Sequence, residues 1–224
     1  MNLNDLHRRL LADVLAIGSP YPLVITGGYA VQAHGLVNRL SQDLDVATEN
    51  PAPMREIVGS VGDGLVRRGW EVRQIEADHL SARLVVTDPA TGDECEVDIL
   101  KEVFCASPTP TPDGWPVLSL DDVIGTKVRA LSDRGAVRDL IDVHAASRQR
   151  GTAELEALGR RHARFEFSLA DLRDRLAGAE WWDEQDYLDY GLTTEQTEAL
   201  RAWALAWATD IDARLAAEDV PGDD

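Results

Sequence analysis

The hydrophobic positions of residues 1–100 switch repeatedly between the helical and the strand period. Apolar side chains at helical spacing predict helices over residues 3–17, 29–34 and 57–65. Short β-branched or alternating runs predict strands, and the turn residues of 88–93 join the last two of these strands into a hairpin. The predicted strands are residues 23–26, 43–47, 70–75, 80–87 and 94–100.

The second half of the chain has a different pattern. Residues 107–116 contain four prolines and no hydrophobic period, which predicts a loop. Every later apolar run has the helical period, and Ser119 and Asp122 have the spacing of a capping box. The predicted helices are residues 120–132, 137–147, 153–163, 169–176 and 194–215.

The predicted fold class is therefore α/β (α+β), with a mixed sheet flanked by helices and then a helical region. We expect a core domain over residues 1–106 and a C-terminal helical region over residues 117–224. Two tryptophan pairs are expected to pack inside the helical region rather than to stack on bases. These pairs are Trp181 with Trp182, and Trp203 with Trp207.

Composition narrows the class of protein. The 224 residues carry a net charge of −18, with a pI near 4.5, which argues against general binding to phosphate backbones. No apolar run reaches the roughly 18 residues of a membrane span, so we expect a cytoplasmic protein without a membrane partner. Cys95 and Cys105 lack zinc-site spacing and are expected to be reduced.

Two carboxylates lie two residues apart in the run D-L-D-V-A at 43–47. On a strand, Asp43 and Asp45 project from one face, and the apolar residues between them enter the core. The two charges repel each other, and a divalent cation such as Mg²⁺ relieves that repulsion. Asp98, on the predicted strand at 94–100, is the candidate third ligand.

The Gly27-Gly28 pair ends one predicted strand and begins a helix. Backbone N–H groups at such a turn attract the oxygens of an anionic ligand. A triphosphate beside Mg²⁺ is therefore the expected ligand. Either element alone is a weak signal, and their order along the chain gives them weight.

A strand, a Gly-Gly turn, a helix, a D-x-D strand and a later single Asp resemble the DNA-polymerase-beta-type nucleotidyltransferase superfamily. Two further stretches sharpen that likeness: R-L-S-Q-D-L-D at 39–45, and K-V-R-A-L-S-D-R at 127–134 followed by R-D-L-I-D at 138–142. Together they resemble the AbiEii/AbiGii (MenT-like) toxins. The resemblance covers roughly residues 23–143.

The resemblance implies an NTP-dependent transfer of NMP to a hydroxyl acceptor, and the implied acceptor is a tRNA 3′ end. It also implies a toxin of a type IV toxin-antitoxin or abortive-infection system, restrained by a cognate antitoxin. Two Mg²⁺ ions are expected on Asp43, Asp45 and Asp98. The phosphates are expected on Gly27, Gly28 and Ser41, with Arg39 and Lys127 countering the charge of the leaving pyrophosphate.

Two roles are open for the R-D-x-x-D helix. Asp139 is assigned as a catalytic residue, but a structural network in which Arg138, Asp139 and Asp142 orient Lys127 explains the same residues. Lys127 itself is either a triphosphate ligand or a surface lysine.

Charge distribution bears on the acceptor. Residues 127–164 hold nine cations and five anions, and this basic strip is either an RNA contact or a solvated helix face. Residues 171–224 contain 15 carboxylates and only four arginines. The alternative function is an aminoglycoside- or lincosamide-type nucleotidyltransferase, which the acidic surface suits. The third hypothesis is a non-catalytic binding protein.

Overall fold

The structure is a computed structural model that describes residues 1–39 and 41–218. Leu40, which belongs to the 39–45 motif, and residues 219–224 of the predicted acidic tail lie outside the described residues. The chain divides into two compact units, Met1–Val123 and Ile124–Asp224. Among the described residues, no helix combines the length and apolar character that a membrane crossing requires.

The first unit alternates helices and strands in chain order. Its helices are α1 (Asp5–Ile17), α2 (Gly27–Ala33) and α3 (Met54–Arg67). Its strands are β1 (Val24–Ile25), β2 (Asp43–Thr48), β3 (Glu71–Ala77), β4 (Ser81–Thr87), β5 (Glu94–Lys101), β6 (Thr109–Pro110) and β7 (Pro116–Val117). The predicted helices and strands of residues 1–100 are all confirmed, apart from shifts of a few residues at their ends.

The strands form one mixed sheet in the order β3-β4-β5-β2-β1-β7-β6. β4 and β5 form the predicted antiparallel hairpin, and β5 then lies parallel to β2. β1 pairs antiparallel with β2 and parallel with β7. The mixed sheet with flanking helices confirms the predicted fold class.

Helices α1 and α3 pack together over the sheet, and α3 packs on β3 and β4. The apolar side of α3 is buried through Ile57, Val61 and Leu65. The two helices approach closely at Gly64, where an added Cβ would lie 3.1 Å from Ile17 Cδ1. This layer covers one face of the sheet and leaves the other face for polar side chains.

The predicted loop at 107–116 is wrong in part, because it contains β6 and the first residue of β7. Strands of two residues carry no readable hydrophobic period, so the sequence pattern does not reveal them. Both strands contain a proline, and β6 lies at the edge of the sheet, where a missing N–H is tolerated.

The described part of the second unit is helical. Helix α4 (Leu120–Arg134) begins in the first unit and continues into the second, and Ser119 Oγ accepts from Asp122 N at 3.2 Å, as the capping-box spacing predicts. The remaining helices are α5 (Val137–Ala146), α6 (Thr152–Arg161), α7 (Leu169–Ala177), α8 (Glu184–Leu188) and α9 (Thr194–Glu218). The sequence pattern did not predict the five-residue α8.

The tryptophans of this unit are divided between interior and surface. Trp207 is buried and its ring lies 5.3 Å from that of Trp203, centroid to centroid. Trp181 is 88% exposed and Trp182 is 39% exposed, so the prediction that this pair packs in the core is wrong. Two adjacent aromatics give no period that distinguishes an interior from an exposed position.

Glu156 fixes α9 against α6. The carboxylate is buried, accepts from Trp207 Nε1 at 3.0 Å, and accepts from Arg214 Nη1 at 2.9 Å. A buried charge of this kind is stable only while its hydrogen-bond partners remain in place.

We expect Glu156→Gln to lower the free energy of unfolding by about 1–3 kcal/mol, because a charged partner of Arg214 is lost from a buried position. The measurement is urea unfolding followed by circular dichroism. The control is Glu154→Gln on the same helix, whose exposed carboxylate lies 3.8 Å from Arg150 and should change stability by less than about 0.5 kcal/mol. Equal effects of the two changes would contradict this account of α9.

Candidate active site

The register of two parallel strands assembles the acidic residues. Asp45 on β2 pairs with Asp98 on β5, and Asp43 pairs with Glu96. Paired residues of adjacent strands project from the same face, about 5 Å apart at their Cα atoms. Asp43, Asp45 and Asp98 therefore share one face, and the apolar residues between them are buried on the other.

Gly27 lies directly against Asp45. Its φ is +60°, and an added Cβ would lie 2.6 Å from Asp45 Cβ and still closer to the carboxylate. The neighbouring Thr26 N donates to Asp45 O at 2.9 Å, which joins the end of β1 to β2. A glycine is thus required here both for the backbone conformation and for the space beside Asp45.

Gly28 makes a similar approach to Ser41. An added Cβ would lie 3.0 Å from Ser41 Cβ and 3.9 Å from Arg39 Nη1. Ser41 Oγ donates to Asp43 Oδ1 at 2.8 Å and so orients that carboxylate. Gly28, Arg39, Ser41 and Asp43 therefore form a second set of neighbours beside the pair of Gly27 and Asp45.

A buried aromatic pair supports the Ser41 backbone. Tyr29 Oη lies 2.6 Å from His7 Nδ1 and donates to Ser41 O at 3.4 Å. Burial raises the pKa of Tyr29 to about 12, and the charge of Asp43 adds to this shift. Burial lowers the pKa of His7, against an opposing effect of Asp43. No spacing along the chain links His7 to Tyr29, so the sequence does not predict this pair.

Asp98 has a cationic neighbour that the sequence analysis missed. Arg83 on β4 donates to both of its carboxylate oxygens, at 2.7 Å from Nε and 2.8 Å from Nη2. Arg83 Nη1 also lies 3.4 Å from Glu96 Oε2. The hydrogen bond to Asp98 raises the pKa of Arg83. Counting back from the ends of the predicted hairpin places Arg83 opposite Asp98, so this signal was available.

Cys95 lies on the opposite, apolar face of β5 and is buried. Burial raises the pKa of its thiol to about 12, with a further contribution from the charge of Asp43. The thiol is therefore protonated at neutral pH and packs as a small apolar side chain. This agrees with the expectation that the cysteine is reduced.

A second charged cluster lies in the second unit. Lys127 Nζ is 2.8 Å from Asp142 Oδ2 and 3.4 Å from Asp139 Oδ1. Arg134 donates to Asp139 through Nε at 2.7 Å and Nη2 at 3.0 Å. Both aspartates are almost completely buried, and Lys127 is 9% exposed. Lys127 is therefore not the surface lysine that one of the two readings supposed.

Electrostatics keep Asp139 ionised. Burial by itself raises the pKa of this carboxyl, but Lys127, Arg134 and Arg138 together outweigh burial and leave the pKa lowered. A buried carboxylate with a lowered pKa depends on its cations for its stability. The cluster therefore holds Lys127 in a fixed position between two helices, α4 and α5.

The candidate residues thus occur in two groups. In the first unit the structure brings together Gly27, Gly28, Arg39, Ser41, Asp43, Asp45 and Asp98. In the second unit Lys127 and Asp139 contact each other. The first group offers carboxylate oxygens, which suit a hard divalent cation, next to two positions without side chains.

Solved structures share this fold. MenT4, the nucleotidyltransferase toxin Rv2826c from Mycobacterium tuberculosis H37Rv, matches with a TM-score of 0.62 at 20% identity, over 94% of this chain and 84% of that chain. JHP933 from Helicobacter pylori matches with a TM-score of 0.58 at 18% identity, over 97% and 96%. The fold is therefore one that occurs in nucleotidyltransferases. No curated protein sequence matches this chain.

The sequence identifies the family. Residues 9–213 match the family described as "Nucleotidyl transferase AbiEii toxin, Type IV TA system". The chain belongs to this family, which confirms the resemblance drawn from its motifs. It is an NTP-dependent nucleotidyltransferase of the toxin class, and not a non-catalytic binding protein.

The close contact between Gly27 and Asp45 can be tested with the substitution Gly27→Ala. We expect a loss of about 2–4 kcal/mol in the free energy of unfolding, because the new Cβ adds a collision with Asp45 to the strain of a positive φ. The measurement is urea unfolding of the full chain.

The matched control is Gly35→Ala. Gly35 has a φ of +69° but nothing within 4 Å of an added Cβ, so only the backbone strain of about 1–2 kcal/mol applies. Equal losses for the two variants would show that Gly27 and Asp45 are not in close contact.

Proposed function

We propose that this protein transfers NMP from an NTP to the 3′-hydroxyl of a tRNA, using Mg²⁺, as a toxin that a cognate antitoxin restrains. The observation that carries the proposal is the register of β2 and β5, which pairs Asp45 with Asp98 and puts Asp43 on the same face. Family membership supports the reaction class, and the acceptor and the metal are our inference.

The donor set fits a magnesium site. Asp43, Asp45 and Asp98 present only carboxylate oxygens, and the absence of a side chain at Gly27 gives the Asp45 carboxylate the room that it occupies. Asp43 and Asp45 are the proposed ligands of both ions, and Asp98 of one. When bound, Mg²⁺ lowers the pKa of the attacking hydroxyl and offsets charge on the triphosphate.

The residues around these carboxylates have supporting roles. Ser41 holds Asp43 through its hydroxyl, and Gly28, which has no side chain, lets the start of α2 lie against Ser41 and offer its backbone N–H groups to the phosphates. The guanidinium of Arg39 also lies beside Gly28, with Nη1 3.9 Å from the position of an added Cβ, and supplies positive charge for the pyrophosphate.

Lys127 is the second proposed cation for the triphosphate. Its ammonium group is fixed by Asp139 and Asp142, so it loses little conformational freedom when it meets a ligand. Because Asp139 is completely buried and bound to two cations, we assign it as a positioning residue that acts through Lys127.

In the proposed reaction the 3′-oxygen of the acceptor forms a bond to the α-phosphorus. The bond from that phosphorus to the bridging oxygen breaks, and pyrophosphate leaves with its electron pair. The proton of the hydroxyl passes to solvent. The chain's contribution is to orient the two reactants and to place cationic groups where negative charge develops.

The second candidate acceptor is a cationic small molecule such as an aminoglycoside. The net charge of −18 favours it, because an acidic protein attracts polycations. Incubation with an α-labelled NTP and either bulk tRNA or a panel of aminoglycosides and lincosamides separates the two. Label in the drug fraction alone would overturn the RNA assignment.

Asp43→Asn and Asp98→Asn should each reduce transfer of label from α-³²P-NTP to tRNA by at least about 100-fold, since each removes a proposed metal ligand. The control is Glu94→Gln, which lies on the same strand and face as Asp98 but is exposed, and should retain wild-type activity. Undiminished transfer by Asp43→Asn, with unchanged thermal stability of the variant, would refute the site.

Arg83 should oppose metal binding at Asp98, because its guanidinium holds both carboxylate oxygens. We expect Arg83→Gln to tighten the binding of Mn²⁺ roughly tenfold, which is about 1.4 kcal/mol. The measurement is calorimetric titration of the metal into the protein. Arg73→Gln, an exposed change on β3, is the control and should leave the affinity as it is. Weaker binding by Arg83→Gln would contradict competition.

A further inference from the structure

Two aromatic side chains of the second unit stand out by their exposure. Phe165 and Trp181 are each 88% exposed. A single exposed apolar side chain is common in soluble proteins and needs no explanation by itself. The charges around each ring decide whether it forms part of a binding surface.

The surroundings of the two rings have opposite sign. Phe165 follows three exposed arginines, Arg160, Arg161 and Arg164, with Glu166 as the adjacent anion. Trp181 is preceded by Glu180 and followed, after Trp182, by Asp183 and Glu184, all exposed. A phosphate-bearing ligand is therefore attracted to the first ring and repelled from the second.

The segment that carries Phe165 is anchored on both sides. Phe167 is buried, and Arg160 lies over its ring with Cζ 5.3 Å from the centroid. Ser168 Oγ accepts from Asp171 N at 3.0 Å and caps α7. The chain on both sides of the exposed ring is thus anchored. This lowers the entropic cost of binding, because less of the protein has to become ordered when a ligand binds.

Helix α6, which carries Arg160 and Arg161 and ends just before this segment, rests on α4, the helix that carries Lys127. An added Cβ at Gly159 would lie 2.5 Å from Val128 Cγ1, and one at Gly125 would lie 2.7 Å from Leu158 O. Arg129 Nη1 donates to His162 O at 3.1 Å. Arg160 and Arg161 are therefore carried by a helix that is fixed on the helix of the proposed triphosphate cation, and Arg164 and Phe165 follow directly along the chain.

We propose that Arg160, Arg161, Arg164 and Phe165, together called the Phe165 patch, bind a single-stranded segment of the RNA acceptor. Phe165 stacks on a base, and the exposed arginines contact neighbouring phosphates. The inference rests on the proposed function, which supplies RNA as the acceptor. The patch gives a protein of net charge −18 a local surface of the sign that RNA requires.

The test measures binding without turnover. Full-length protein carrying Asp43→Asn is titrated into a fluorescein-labelled single-stranded oligoribonucleotide, and fluorescence anisotropy gives the Kd. Adding Phe165→Ala should weaken binding roughly 5- to 100-fold, as expected for loss of one stacked base. Phe165→Trp should restore the affinity, whereas Phe165→Leu should not.

The arginines have a separate signature. Arg161→Ala and Arg164→Ala should each weaken binding and make the dependence of log Kd on log salt less steep by about 0.7. Trp181→Ala is the matched control, equally exposed but in acidic surroundings, and should bind as its parent does. Parental affinity in Phe165→Ala, Arg161→Ala and Arg164→Ala would overturn the patch.

Two further outcomes separate this inference from the proposed function. If wild-type protein labels tRNA and the patch variants retain the wild-type KM for tRNA, the patch is wrong and the function stands. If the wild-type protein neither binds nor labels RNA, both are wrong. Polyglutamate can be compared with unlabelled oligoribonucleotide of the same charge as a competitor of the labelled oligoribonucleotide. Equal displacement by the two would show that the patch binds anions in general, and would overturn the stacking role of Phe165.

Discussion

The structure depends on one imbalance in the β2–β5 strand pair: burial of apolar side chains on one face stabilises the pair by more than repulsion between carboxylates on the other face destabilises it. On one face, Leu44, Val46, Val97 and Ile99 are buried, and each such side chain contributes roughly 1.5–3 kcal/mol. On the other face, like charges opposite each other cost no more than about 1 kcal/mol per pair. Burial therefore fixes the register, and the register holds the carboxylates together despite their repulsion.

The two charged clusters pair their carboxylates with cations in different ways. In the first unit, Asp98 retains 14% side-chain exposure and pairs with Arg83, which is itself partly exposed. In the second unit, Asp139 has no exposure and is fixed by Lys127 and Arg134. The first arrangement can exchange its cation for one from solution, whereas the second gives Lys127 a permanent position.

The sequence predicted those features that repeat or that occur within a short span. The alternation in β2 and β5 placed the carboxylates of each strand on one face of that strand, whereas their meeting on a shared face depends on the parallel pairing of the two strands. The pair His7–Tyr29 depends on a contact between separate helices, so local patterns did not single it out, whereas Arg83–Asp98 follows from counting along the predicted hairpin. β6, β7 and α8 were missed because two to five residues do not establish a period. The exposure of Trp181 likewise depends on tertiary packing.

The pairing of β7 with β1 affects which part of the chain can fold alone. Ile25 lies opposite Val117, and Leu118 N donates to Ile25 O at 3.0 Å. A fragment that stopped at residue 106 would leave β1 at a bare edge, with N–H and C=O groups open to strands of other molecules. A shortened version of the first unit must therefore extend beyond β7 to keep β1 paired on both sides.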